Sequence, residues 1–257
     1  MSKLSEWKMM CLAMAGVALS SLAANVVRAD SLSDQAAKLD IVGVHIGMTP
    51  AQAKSVLSQY RKGMQWRESQ RNLGISEGQF VVEAIAQWAP FGSENVSVVF
   101  SPPPGDPKVV AVTREVSFDE SQAPTVEGLS SSLTDKFGQP SYKSSPTFIW
   151  AWDKTGQVSK ANQADTCNVY NNQRQFLLAS WVIVPQLQQE NDDGCAIVVQ
   201  AVIHSGSSGI ADHLEMTLID VHDALQAAIA TNNHIKQVEQ AKKEEALKKA
   251  SANKPAL

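Results

Sequence analysis

The chain has 257 residues, a formal net charge of −4 and 44% hydrophobic side chains. That length suits one domain of two lobes, or two small domains, with enough apolar residues to bury a core. No basic stripe runs through the body, which argues against nucleic acid as a partner, and beyond the first thirty residues no apolar run approaches the ~20 residues of a membrane-spanning helix.

The beginning of the chain is the most informative part. Lys3 and Lys8 precede an uncharged apolar run from Met9 to Leu22. Such a run fits the ~7–15-residue core of a signal peptide and is short for a span, the alternative being an N-terminal membrane anchor. Small residues offer cleavage after Ala23 or after Ala29. Residues 1–29 are therefore expected to be a signal peptide, and the protein to be periplasmic or secreted with no stable membrane span after cleavage. Cys11 stands near the start of the apolar run rather than at its end, the wrong place for a lipid-modified cysteine. Cleavage after Ala29 removes Lys3, Lys8, Arg28 and Glu6, so the charge moves from −4 to −6.

Cys167 and Cys195 then remain. An even pair in an exported chain reads as a disulfide, against the alternative of two free buried thiols. The loop it closes, about 29 residues, is worth roughly 3–4 kcal/mol in the chain-entropy model.

In chain order, Ile41-Val42-Gly43-Val44 reads as a short extended segment leading into Gly47-Met48. Thr49-Pro50-Ala51-Gln52 carries a capping-box pattern, and Ala53, Val56, Leu57 and Tyr60 continue it as a helical apolar stripe. Phe80 to Trp88 suits a strand or a short helix. Val96, Val98 and Phe100 alternate, a Pro102–Asp106 turn follows, and Val110, Val112, Val116 and Phe118 are expected to return on one face with Arg114 as the odd polar member. A second helix opens at Thr125, 76 residues after Thr49, with Val126, Leu129, Leu133 and Phe137 on its stripe and Gly138 and Pro140 as stop signals. Strand-like runs follow at Phe148–Trp152, Phe176–Val184, Ala196–His204 and His213–Ile219. Asp220 is placed to cap a last helix carrying Val221, Leu225, Ala228 and Ile229, which continues into a charged tail of Glu/Lys pairs in i,i+4 order.

The pattern predicts an α+β protein of two similar lobes, each a helix packed on an antiparallel sheet, plus a charged C-terminal helical tail. The expected bounds are 40–120 for a helix-plus-hairpin lobe, 121–230 for a helix-plus-sheet lobe with the disulfide, and 231–257 for the tail. This order resembles the tandem architecture of the beta-lactamase inhibitor protein, and single units of it resemble the small outer-membrane-assembly lipoproteins. Gly47-Met48-Thr49 matches the helix entry of those families, and Lys136-Phe137-Gly138-Gln139-Pro140 a helix exit of the same kind. The chain is also similar to a group of exported proteobacterial proteins that share these features and the proline-rich hairpin. The resemblance covers roughly residues 40–225. Its motifs are caps and turns, so it implies shape and carries over no functional residue. The lipid-anchoring cysteine of the outer-membrane family has no counterpart here.

Chemistry is thinly signalled. His204, His213 and His222 recur with Asp212, Asp220 and Asp223, but spacings of nine residues do not by themselves bring ligands to ~2 Å from one ion. Ser205-Gly206-Ser207-Ser208-Gly209 reads as a connection between strands rather than a nucleophile elbow, and Asp192-Asp193 as a solvated turn. No metal, cofactor or catalytic residue is expected. Phe148, Trp150 and Trp152 share one strand face. They are either core beneath a helix or an exposed hot spot for a protein partner, with Trp181 extending the surface. The sequence reading is thus an exported non-catalytic protein that binds an envelope or secreted protein through Trp150, Trp152 and Trp181. The alternative is a metal-dependent or hydrolytic periplasmic enzyme built on the late histidines and aspartates.

Overall fold

A computed structural model describes residues 31–73, 79–88, 93–160, 167, 188, 192–206 and 209–252. Residues 1–29, expected to be a signal peptide, lie outside the described residues, as do Trp181 and the Phe176–Val184 run. Among the described residues the fold is mixed α+β, an eight-stranded antiparallel sheet and a two-stranded one, with four helices long enough to bound.

The polar lead-in contains a short helix α1 (Leu32–Lys38), started by a reciprocal capping box between Ser31 and Asp34. The segment after it is a tight hairpin rather than a simple extended run: β1 (Asp40–Ile41) pairs with β2 (Val44–His45). Its two turn residues, Val42 and Gly43, have φ of 48° and 82°. A left-handed turn of this kind matches the twist of the flanking strands, and Asp40 Oδ1 accepts a hydrogen bond from Gly43 N at 2.8 Å, which pays for part of the strain at Val42.

Helix α2 (Pro50–Tyr60) starts at Thr49, whose side chain accepts from Gln52 N while Gln52 accepts from Thr49 N. Four strands follow: β3 (Gln65–Asn72), β4 (Gln79–Gln87), β5 (Glu94–Phe100) and β6 (Val109–Ser117). Helix α3 (Val126–Phe137) is capped by Thr125 and ends at Gly138, whose φ of 79° is the left-handed conformation glycine adopts freely. Then come β7 (Tyr142–Ser144), β8 (Thr147–Trp152), β9 (Ile197–Ser205) and β10 (Ala211–Asp220), and the long helix α4 (Val221–Ala252). The strand order is β3-β4-β5-β6-β10-β9-β8-β7, so the last strand of each run of four meets the other at the centre of the sheet.

Each face of the sheet has its own core. On one face Val96, Val98, Phe100, Val112, Leu214, Met216, Leu218 and the even-numbered residues of β8 pack with Ala53 and Leu57 of α2 and with Leu133 and Phe137 of α3. On the other, Val99, Ala111, Val198 and Ile219 pack with Val221, Ala224, Leu225 and Ala228 at the start of α4. The disulfide Cys167–Cys195 belongs to this second core and ties the loop to the residues just before β9. Val110 is also part of it, on the opposite face from Val112 and Val116. A bulge where Val99 and Phe100 meet Ala111 and Val109 shifts the alternation, correcting the expected single-face run. Beyond Glu239 α4 is exposed on every side and carries a Lys249–Glu245 ion pair at 2.7 Å.

Arg114, the polar member of the β6 stripe, has a partner on the same face. Its Nε donates to Glu94 Oε1 at 2.7 Å, and its guanidinium also donates to the Tyr60 hydroxyl at 3.1 Å. Tyr60 donates in turn to Glu94 at 2.9 Å, Arg61 adds a 3.4 Å contact, and Trp88 Nε1 donates to the Arg61 carbonyl at 2.8 Å. Glu94 is only 6% exposed, and three donors satisfy it. The network fastens the end of α2 to the sheet. Among the described residues no helix is long and apolar enough to cross a membrane.

Two stability measurements test this packing. Trp150→Ala should cost about 3–5 kcal/mol in urea denaturation, as expected for emptying a fully buried aromatic site, and a loss below about 1 kcal/mol would mean the site is not core. Cys195→Ser should cost roughly 3 kcal/mol under oxidising conditions and nothing further when the wild type is reduced.

Candidate functional site

Of the tryptophans expected to meet a partner, Trp150 and Trp152 are core, and Trp181 lies outside the described residues. Strand β8 turns Phe148, Trp150 and Trp152 toward α3, and they are 4%, 1% and 5% exposed. Phe137, the last residue of α3, sits 5.4 Å from the Trp150 ring between centroids, and Phe148 stacks with Trp150 at 6.4 Å. Trp150 Nε1 donates to the Gly138 carbonyl at 2.8 Å, satisfying the indole inside the protein. The helix exit at Gly138 thus closes over this face, and Trp150 and Trp152 present no surface to a partner.

The opposite face of the sheet is different in character. Among the described residues the start of α4 and the Cys167–Cys195 disulfide pack on part of it, and Gln200, Val202 and Thr217 on this face are buried as well. Across β4, β5, β6, β10 and β9 the same face carries Gln87, Asn95, Thr113, Glu115, Ser117, His213, Glu215 and His204, all partly or fully exposed. Register sets these side chains in rows. Thr113 faces Thr217, Glu115 faces Glu215 and Ser117 faces His213 across β6 and β10, and His213 faces His204 across β10 and β9. Neighbours in the rows bond to one another: Gln87 Nε2 donates to Asn95 Oδ1 at 2.9 Å, the Thr113 and Thr217 hydroxyls are 3.2 Å apart, and Ser97 donates to the buried Glu83 carboxylate. A shallow hollow of about 70 Å³ lies between Ile85, Asn95, Thr113 and Glu115.

At one end of this face Ser117, His213, Glu215 and His204 form a cluster. Ser117 Oγ is 3.2 Å from His213 Nδ1, and His213 Nε2 is 3.2 Å from Glu215 Oε1. Serine, imidazole and carboxylate in sequence invite comparison with a hydrolytic relay. The backbone donors beside the serine are already spent, however: Ser117 N donates to the Ser93 carbonyl and Phe118 N to the Asp212 carbonyl. No oxyanion site is formed at Ser117 by these groups, and that is the element that contributes most in such chemistry. Among the described residues no group of three or more His, Cys, Asp or Glu side chains is placed to hold a metal ion.

The late histidines and aspartates do not form one site. His222, Asp220 and Asp223 lie at the far end of β10 from His213, about 23 Å along the strand. They line a separate cleft of about 490 Å³ with Ser31, Ser33 and Lys154. Asp220 caps α4 as expected, its Oδ1 accepting from Asp223 N at 2.8 Å. It is also 3% exposed. Burial, reinforced by the Asp223 charge and opposed by the N–H groups of Asp223 and His222, pushes its carboxyl up to about 7. The Ser205–Gly209 segment connects β9 to β10, as its composition indicates.

Glu215 and Ser117 were not singled out in the sequence. The signal available was their place on the polar side of an alternating strand, but nothing in sequence brings β6 beside β10, a hundred residues on.

The raised carboxyl of Asp220 sets a pH dependence. Folded protein holds this proton to about pH 7, whereas the unfolded chain releases it near 3.8, so the native state binds more protons between those values. The stability Asp220 contributes is complete below pH 4 and is lost as pH rises toward 7. Asp220→Asn keeps a good cap and cannot ionise, so its stability should be flatter than wild type between pH 4 and 7, by a few kcal/mol in order of magnitude. Parallel stability–pH curves for the two proteins would rule this out.

No protein-family model, curated protein or solved structure matches the chain.

Proposed function

We propose that this chain is an exported, non-catalytic protein-binding module and that the polar, open face of its sheet is the contact surface. The observation that carries the reading is the division of labour between the two faces. Helices α1, α2 and α3 and the β1–β2 hairpin pack on one face, while among the described residues the other leaves polar side chains partly exposed across five neighbouring strands. Five strands span about 20 Å between their outer axes. Side chains held by strand pairing and by bonds to one another lose little freedom on binding, which lowers the cost of association. Polar rows of this kind favour a partner chosen by hydrogen-bond and charge complementarity more than by apolar area.

Two further observations support export. The disulfide belongs to an oxidising compartment, and the charged, then apolar beginning of the chain has the form of a signal peptide. Among the described residues a helix followed by antiparallel strands occurs twice and the two runs meet through β6 and β10, which supports the reading of two similar lobes and the resemblance to the tandem beta-lactamase inhibitor protein architecture. The partner's class is then an envelope or secreted protein.

A photo-crosslinking side chain placed singly at Asn95, at Thr113 and at Ala51 separates the two faces. Asn95 and Thr113 lie on the open face and Ala51 is on the outside of α2. In envelope extract we expect one discrete protein adduct from Asn95 and Thr113 and none from Ala51. Equal adducts from both faces, or none from the sheet, would remove the open face as the contact surface.

A further inference from the structure

Away from the open face, the start of α4 borders a cleft of ligand size. It lies at the other end of β10 from His213, among α1, the Ile46-Gly47 corner, the turn after β8 and the first residues of α4, and its volume is about 490 Å³. Small organic ligands occupy pockets of roughly 300–1,000 Å³. Leu32, Ala36 and Ala37 share one face of α1 and, with Ile46, give the cleft an apolar part.

The polar part is acidic. Asp220 is 3% exposed, and Asp223 stands beside it on the first turn of α4. Among the described residues no Lys, Arg or His side chain forms an ion pair with either carboxyl. The hydrogen bonds to Asp220 come from the backbone N–H groups of Asp223, at 2.8 Å, and of His222. Those bonds occupy donors that would otherwise draw an anion to the helix terminus. What faces the cleft is therefore a pair of like charges, one of them buried. A buried carboxylate without an opposite charge is costly, and the fold answers by keeping the proton on Asp220 up to about pH 7. An ammonium group in the cleft supplies the opposite charge, and its three N–H donors match the carboxyl oxygens around it. Lys154 also lines the cleft and disfavours a second positive charge there.

We propose that this cleft binds a small aliphatic primary amine, its ammonium held by Asp220 and Asp223 and its hydrocarbon stem lying along Leu32, Ala36, Ala37 and Ile46. Binding and protonation then compete for Asp220. The ammonium requires the ionised carboxyl, so below about pH 7 binding expels a proton, and affinity falls by up to about tenfold per pH unit. The other ionisable groups lining the cleft are Asp223, His222 and Lys154, while α1 and the Ile46-Gly47 corner contribute none. A protonated His222 would act in the same direction as a protonated Asp220, so the test varies both. The proposal stands whether or not the open face of the sheet meets a protein partner.

The test is titration of the untagged chain with n-pentylamine, followed by backbone amide chemical shifts, with 1-pentanol as the uncharged probe of the same shape. It is repeated with Asp220→Asn, His222→Gln and Ala37→Trp, the last placing a large ring in the cleft from an exposed position on α1. We expect saturable binding of one amine per chain, with shifts centred on the cleft and pentanol at least about tenfold weaker. Wild-type affinity should fall at least about tenfold from pH 8 to pH 5.5. Asp220→Asn, which keeps its cap, should bind at least about tenfold more weakly at pH 8 and lose the pH dependence. His222→Gln should keep that dependence, and Ala37→Trp should weaken binding at every pH. Thermal transitions without amine establish that each variant is folded. Absence of saturable binding to the folded wild type would overturn the site, as would pentanol binding as tightly as the amine. So would an Asp220→Asn protein that keeps the affinity and pH dependence of the wild type, a pH dependence that vanishes in His222→Gln, or unchanged binding in Ala37→Trp.

Discussion

Seven consecutive residue pairs between β6 and β10, from Ala111 with Ile219 to Ser117 with His213, hold together two parts of the chain about a hundred residues apart. Without that ladder the first four strands and the last four would each end in a free central edge, with its row of unpaired N–H and C=O groups. With it, the sheet runs unbroken through eight strands. The helices on one side share a continuous apolar floor. Val112, Leu218 and Val199 stand side by side across three strands on that floor, and Ala111, Ile219 and Val198 do the same on the reverse, where α4 lands. The two cores are therefore the two sides of one ladder.

Local sequence signals named the elements that start and stop abruptly. Thr49-Pro50 and Thr125 start helices where their cap chemistry says they should, Gly138 ends one, and Asp220 starts the last. The alternating runs at Val96–Phe100, Phe148–Trp152 and His213–Ile219 are strands. What escaped had no hydrophobic pattern to read. Strand β3, Gln-Trp-Arg-Glu-Ser-Gln-Arg-Asn, is a sheet edge with almost nothing buried, so its polarity reads as loop; charge and a bulge at Ser69–Gln70 are also what keeps such an edge from recruiting another chain. Strand β7 is three residues long, below the length at which alternation means anything. Helix α1 is short and polar, visible only through Ser31 and Asp34.

The site is a harder case, for a reason that is geometric. A strand's alternation says that two sets of side chains point opposite ways, but not which set a helix will cover. For β8 the covered set is the aromatic one, because the exit of α3 puts Phe137 and the Gly138 carbonyl within reach of the Trp150 ring and its N–H. Tryptophans on a strand of unknown neighbours therefore carry two meanings, and only the helix resolves them. Likewise the nine-residue spacing of His204, His213 and His222 is uninformative, since antiparallel pairing of β9 with β10 brings the first two together while a strand's length carries the third away. Glu215 joins the pair through register alone.

The polar face also constrains the fold that displays it. If β10 slipped by one residue against β6, His213, Glu215 and Thr217 would turn toward α2 and α3, and Leu214, Met216 and Leu218 would turn outward. The slipped state would bury two ionisable side chains against Phe100, Leu133 and their neighbours and expose three large apolar ones. Either change alone costs several kcal/mol. The polar row on the open face is thus as much a determinant of the β6–β10 register as the apolar row beneath it. A side chain placed there serves two ends at once: it forbids the wrong pairing, and it stands in a fixed position on a rigid strand. This rigidity is what a contact surface requires. It also explains why ionisable residues tolerate this face, whereas on the other face Glu94 and Arg114 are held against each other at 2.7 Å.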